Sequence, residues 1–161
     1  IGKTKVKALA EIVKAQTGCE LKVHETKVDG TQEMGDVVFL LTDTMSSRKE
    51  IWTKGLRYKT KIKLMIETRM GSDTGRVYTI NPTKPVQVKG WESTLYEDAV
   101  AEVSACGTSI SVGPTAEFLS GLAVWQLMRW HAIESGSKKD DTVDHEIIFG
   151  LRPLYTVTRN F

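Results

Sequence analysis

Val6, Leu9, Ala10 and Val13 recur at i, i+3, i+4 and i+7, so one face of the opening segment is apolar. That spacing predicts a helix over residues 3–17, ending at Gly18. Cys19, Leu21 and Val23 then alternate with Glu20, Lys22 and His24, the period of a half-buried strand, which places Cys19 in the core. Val37-Val38-Phe39-Leu40-Leu41 is unbroken by polar residues, as expected of a parallel strand covered on both faces. It stops at Thr42-Asp43, and Thr44 is placed to cap a helix running from Ser46 to Trp52. Beyond Gly55 comes another apolar strand around Ile62, Leu64 and Ile66. Strand, helix, strand is the order of a crossover that lays its helix on a sheet.

The stretch Met70 to Gly75 reads as a turn, and Val77 to Ile80 as a strand returning antiparallel. A Pro-bearing connection follows from Asn81 to Gly90, then a short helix from Trp91 to Val103. Gly113-Pro114 opens a longer helix, because proline in the first turn loses no intrahelical hydrogen bond. Its stripe of Leu119, Leu122, Ala123, Leu127 and Trp130 is expected to pack on the sheet. After a polar linker from Glu134 to Asp144, Ile147 to Phe149 and Leu154 to Val157 read as closing strands. The fold class expected is α/β, with a Rossmann-like, mixed and mainly parallel sheet flanked by helices.

At 161 residues the chain fits one domain of about 100–200, large enough to bury a core without metal or disulfide staples. The formal charge of +2 supplies no strong field toward a polyanion, and Trp52, Trp91, Trp125 and Trp130 do not interleave with a basic stripe, so nucleic acid is not expected as a partner. The most apolar stretch, Phe118 to Ile133, carries Arg129 and His131, which argues against a membrane span. Cys19 and Cys106 are the only cysteines, too few for a disulfide framework or a zinc site, and a cytoplasmic setting is expected. His24, His131 and His145 stand too far apart for a metal-ligand spacing, and Lys138-Lys139-Asp140-Asp141 reads as a solvated charge run.

Ligands in open α/β sheets bind outside the carboxyl ends of parallel strands, and Asp43 is the first ionisable residue past the most apolar strand. It reads equally as a site residue or as a cap of the following helix. Lys5 is able to reach a phosphate, or to sit on a solvated face.

Taken in order, Ile1-Gly2-Lys3-Thr4-Lys5-Val6-Lys7-Ala8 and the later Val37 to Arg48 segment resemble the ThiF/MoeB/HesA-type, ubiquitin-activating-enzyme-like superfamily of adenylating enzymes. Glu67 to Val77 looks like that family's strand, turn and return, and Cys106-Gly107-Thr108-Ser109 before Gly113-Pro114-Thr115 is similar to the region of its thioester cysteine. The resemblance implies that Lys5 contacts the phosphates of ATP and that Asp43 lies near the nucleotide and its Mg²⁺. Thr44 stands where the family has asparagine, and Arg48 matches the helix arginine. The family's glycine-rich phosphate loop precedes the lysine segment, so the chain is expected to be the carboxyl-terminal part of such a domain and to bind ATP poorly alone. Paired C-x-x-C motifs are absent, which implies a branch without zinc.

The activity so implied is adenylation of the C-terminal carboxylate of a ubiquitin-like or sulfur-carrier protein, with Lys5 and Asp43 neutralising charge on the nucleotide. Cys106 reads either as a nucleophile that captures the acyl group or as a small buried apolar residue. A homodimer, or pairing with the missing half, is expected from the resemblance. The rival is a noncatalytic subunit that keeps the fold to hold a partner or carrier.

Overall fold

The computed structural model describes residues 2–100 and 113–161. Four helices, α1 (Lys5–Thr17), α2 (Met45–Ile51), α3 (Pro85–Glu92) and α4 (Gly113–Glu134), accompany strands β1 (Val37–Leu40), β2 (Leu64–Met70), β3 (Thr74–Ile80), β4 (Glu146–Leu151) and β5 (Leu154–Arg159). A π-helical turn, Trp52–Leu56, continues α2, and one 3₁₀ turn spans Asp98–Val100. The strands form a single mixed sheet in chain order.

Only β1 and β2 run parallel; β2–β3, β3–β4 and β4–β5 are antiparallel. The expectation of a mainly parallel sheet is therefore corrected. Three residues separate β2 from β3 and two separate β4 from β5, which suits hairpins and is far too short for a parallel crossover. The crossover through α2 is the part that matches the sequence pattern.

Alternation along β2 divides the core. Met65 joins Leu40, Trp52, Ile80, Val88 and Trp91 beneath α2 and α3, whereas Leu64 and Ile66 join Val77, Leu119, Ala123 and Phe149 beneath α4. The α4 stripe packs as its spacing predicts: Leu119 and Ala123 are buried, with Leu122, Leu127 and Trp130 against the same cluster. Gln126 is also buried on this helix, its amide donating to Thr79 Oγ1 at 3.1 Å and the Asp144 carbonyl at 2.6 Å. Asp141, read as part of a solvated run, instead holds Arg129 at 2.9 Å.

Other departures have local causes. Residues 19–23 form no strand and Cys19 is exposed, because no neighbouring strand pairs with that alternating segment. Pro85 lies in the first turn of α3, so a segment read as a connection is helical, while the helix expected from Trp91 ends by Glu92. Residues 101–103 of that expected helix lie outside the described residues. β1 is an edge strand, which leaves Phe39 39% exposed, and Leu41 just beyond it is 62% exposed, contrary to coverage on both faces. α1 buries none of its residues.

Two contacts lend themselves to measurement. Gly30 has φ +93°, and a Cβ there would fall 2.8 Å from the Ile51 carbonyl oxygen. Gly30→Ala is expected to lower stability by about 1–3 kcal/mol in urea denaturation, and an unchanged midpoint would contradict this close approach. His145 Nδ1 accepts the Phe161 amide at 2.8 Å and its ring stacks on Phe161. Burial pushes this imidazole below its ordinary value of 6.5, against the opposing pull of Asp144. The fold thus favours neutral His145. Its contribution is complete above about pH 6.5 and is lost as pH falls through the lower folded value. Between about pH 7.5 and pH 5 the melting temperature is expected to fall further in the native protein than in His145→Gln. Equal falls would assign the titration elsewhere.

Candidate functional site

Met65, Glu67 and Arg69 share one face of β2, and Glu67 lies opposite Leu40, the last residue of β1. Glu67 is thus at the carboxyl end of the parallel pair, and it is fully buried. A buried carboxylate persists when charge and hydrogen bonds replace the lost water. Glu67 receives them from three elements. Arg69 Nε donates to its two oxygens at 3.0 and 3.1 Å, and Trp91 Nε1 donates to Oε2 at 3.0 Å. Arg48 Nε lies 2.7 Å from Oε1 in an ion contact whose angle falls outside hydrogen-bond geometry.

Both arginines reach onward. Arg48 Nη2 donates to the Thr42 carbonyl at 2.7 Å and the Thr68 carbonyl at 3.1 Å. Arg69 donates to the Thr94 carbonyl at 2.7 Å and Thr94 Oγ1 at 3.0 Å, and its guanidinium lies 4.3 Å from the Tyr78 ring centroid. Burial lowers the Arg48 pKa, while the adjacent Glu67 charge opposes that shift.

A polar row continues across the sheet. Glu67 pairs in register with Tyr78, Tyr78 with Glu146, and Glu146 with Arg159. The Tyr78 hydroxyl donates to the buried Glu146 at 2.8 Å, and Arg76 approaches the same carboxylate at 3.1 Å. Burial raises the Tyr78 pKa, so its phenol keeps the proton it donates.

The rim of this end is built by the β1–α2 loop. Thr44 is the N-cap of α2, its Oγ1 accepting the Ser47 amide at 3.3 Å. The Asp98 carboxylate takes the Met45 amide at 2.5 Å and the Ser46 amide at 3.2 Å. The Ser46 side chain first, with these amides, holds the Asp98 carboxyl below the usual carboxylate range. The helix start is therefore satisfied without Asp43. Asp43 is exposed and makes no hydrogen bond or ion pair among the described residues. Of its two sequence readings, the capping role belongs to Thr44.

Lys5 opens α1, exposed and likewise without a partner among the described residues. The side-chain ties at its helix include Lys3 to Glu11, the N-cap Thr4 and Lys7 to Glu25, and Lys14 to Glu20. Among the described residues, no hydrogen bond or ion pair joins α1 to the Asp43 loop. Cys106 lies outside the described residues. Neither of two surface recesses includes Lys5 or Asp43. An apolar one of about 510 Å³ is lined by Val37, Leu127, Met128, Trp130 and His131, and one of mixed lining, about 490 Å³, lies around Gly30, Lys54 and Lys61. Among the described residues no group of three His, Cys, Asp or Glu side chains converges to hold a metal ion.

Sequence reasoning did not single out Glu67, Arg69 or Glu146. For Glu67 and Arg69 the signal was the spacing: charges two residues apart in an apolar strand must share a face, and on a covered face they must pair. No family model and no curated protein matches this chain.

Replacing Glu67 by Gln leaves two buried guanidinium groups facing a neutral amide. Glu67→Gln is expected to cost about 3–5 kcal/mol in urea denaturation. Lys49→Ala, which removes a pair to the exposed Glu97, is expected to cost under about 1 kcal/mol. Comparable costs for the two would contradict the importance assigned to burial.

Proposed function

We propose that this chain is part of an ATP-dependent adenylating enzyme of the ThiF-like kind it resembles, acting on the C-terminal carboxylate of a ubiquitin-like or sulfur-carrier protein. The observation that carries the reading is the Asp43 carboxylate, which has no partner among the described residues, at the carboxyl end of the parallel pair and relieved of helix capping by Thr44 and Asp98. Mg²⁺ is commonly held by one or two carboxylates together with substrate phosphates, and an exposed, unpaired aspartate fits that donor set. The free Lys5 amine suits phosphate oxygens as a compact cation. The first amides of α2 are taken by Asp98, so they offer a phosphate nothing, and the cradle for the pyrophosphate lies outside the residues described.

In this reaction an oxygen of the carrier carboxylate bonds to the α-phosphorus of ATP while the bond to the β-phosphate oxygen breaks, releasing pyrophosphate. Asp43 and Lys5 serve by neutralising charge. Cys106 is the candidate to take the acyl group in a second step, its thiolate displacing AMP. A cytoplasmic setting, a Rossmann-like parent sheet and pairing between copies accompany this reading.

A second reading, a noncatalytic subunit holding a partner, is favoured by exposed apolar side chains at Val124, Trp125 and Met128 on α4 and at Leu9 and Ile12 on α1. ATP–pyrophosphate exchange by the complete protein with a candidate carrier separates the two. The enzyme reading expects exchange that falls at least about tenfold in Asp43→Asn, the loss of one charge-stabilising contact. Undiminished exchange in that variant would remove Asp43 from the site, and absence of exchange in the native protein would favour the partner-holding role.

A further inference from the structure

We infer that Arg48 is the positioning residue for Asp43, a step that rests on the adenylation reading for its consequence but on the structure for its geometry. The Thr42 carbonyl that accepts from Arg48 Nη2 at 2.7 Å belongs to the peptide group joining Thr42 to Asp43. A peptide group is planar and rigid, so a donor held on its oxygen restrains the whole unit that ends at the Asp43 Cα. On the other side of Asp43, Thr44 is held by its capping bond to the Ser47 amide. The backbone of Asp43 is held from both neighbours while its carboxylate has no partner among the described residues.

The same Arg48 nitrogen also donates to the Thr68 carbonyl at 3.1 Å, and Nε faces Glu67 at 2.7 Å, so the clamp is anchored in β2. The loop of one parallel strand is thereby referenced to the end of the other. An apolar side chain of similar volume would fill this buried position but would leave both carbonyls without the donor. A lysine would keep the charge beside Glu67 without the planar fork that serves a carboxylate and two carbonyls together.

The test uses the complete protein with three variants, Arg48→Met, Arg48→Lys and Asp43→Asn. Arg48→Met leaves Glu67 its bonds from Arg69 and Trp91, and Arg48→Lys preserves the local charge if the methionine variant proves unstable. The first readout is the backbone order parameter of the Asp43 amide by NMR relaxation. It is expected to fall from about 0.85 to below about 0.6 in Arg48→Met, and to fall in Arg48→Lys, while the β3 amides keep their values. An Asp43 amide that stays rigid in both variants overturns the proposal. The second readout is the Mg²⁺ dependence of ATP–pyrophosphate exchange. Arg48→Met is expected to lower the rate at least about fivefold, and the Arg48→Met/Asp43→Asn double variant to be no slower than Asp43→Asn alone. Effects that multiply would show that Arg48 acts independently of Asp43, which also overturns it. If Asp43 loosens in the Arg48 variants but Asp43→Asn exchanges at the native rate, the clamp stands and Asp43 has no part in the reaction, whereas absence of exchange in the native protein leaves the clamp standing and removes the adenylation reading.

Discussion

Glu67 has no exposed surface, and two arginines and an indole converge on it from α2, β2 and α3. Taking a carboxylate and two guanidinium groups out of water costs several kcal/mol each, so the loss of any one partner weakens the arrangement. That requirement orders the surrounding elements. Trp91 must seat α3 against the sheet, Arg48 must bring α2 over the strand ends, and Arg69 must draw in the Thr94 segment. Tyr78 and Glu146 extend the same logic through β3 and β4, where the antiparallel register aligns them side by side.

The functional consequence is a division of labour at the strand ends. Helix α2 begins where the chain leaves β1, and its first amides need acceptors. Thr44 and Asp98 provide them, one from within the loop and one from a distant segment. Asp43 sits between strand and helix without being used by either. Among the described residues Asp43 is left unpaired at the carboxyl end of a parallel pair, and that geometry supports its proposed role more directly than its sequence context does.

Elements governed by neighbours in sequence were legible. Thr44 caps, Pro114 opens α4, and the spacing of Leu119 and Ala123 marks the packed face, all local rules that the fold obeys. The sheet's dominant direction was not legible, because an apolar run such as Val37 to Leu41 looks the same in a covered central strand and in an exposed edge strand. Cys19 to Val23 has strand periodicity but no strand beside it, and alternation alone supplies no hydrogen-bond partner. The position of Asp43 was visible from the chain, whereas the network behind it was not: Glu67, Arg69 and Trp91 meet only after β2 and α3 are packed.

Arg48 and Glu67 act as one unit within this buried network. A double-mutant cycle on urea unfolding of Arg48→Met, Glu67→Gln and the combined variant measures it directly. The expected result is a coupling energy above about 1 kcal/mol, with the arginine substitution costing less once the carboxylate is neutral. Additive effects within about 0.5 kcal/mol would contradict the account, since they would mean that the two side chains are merely neighbours.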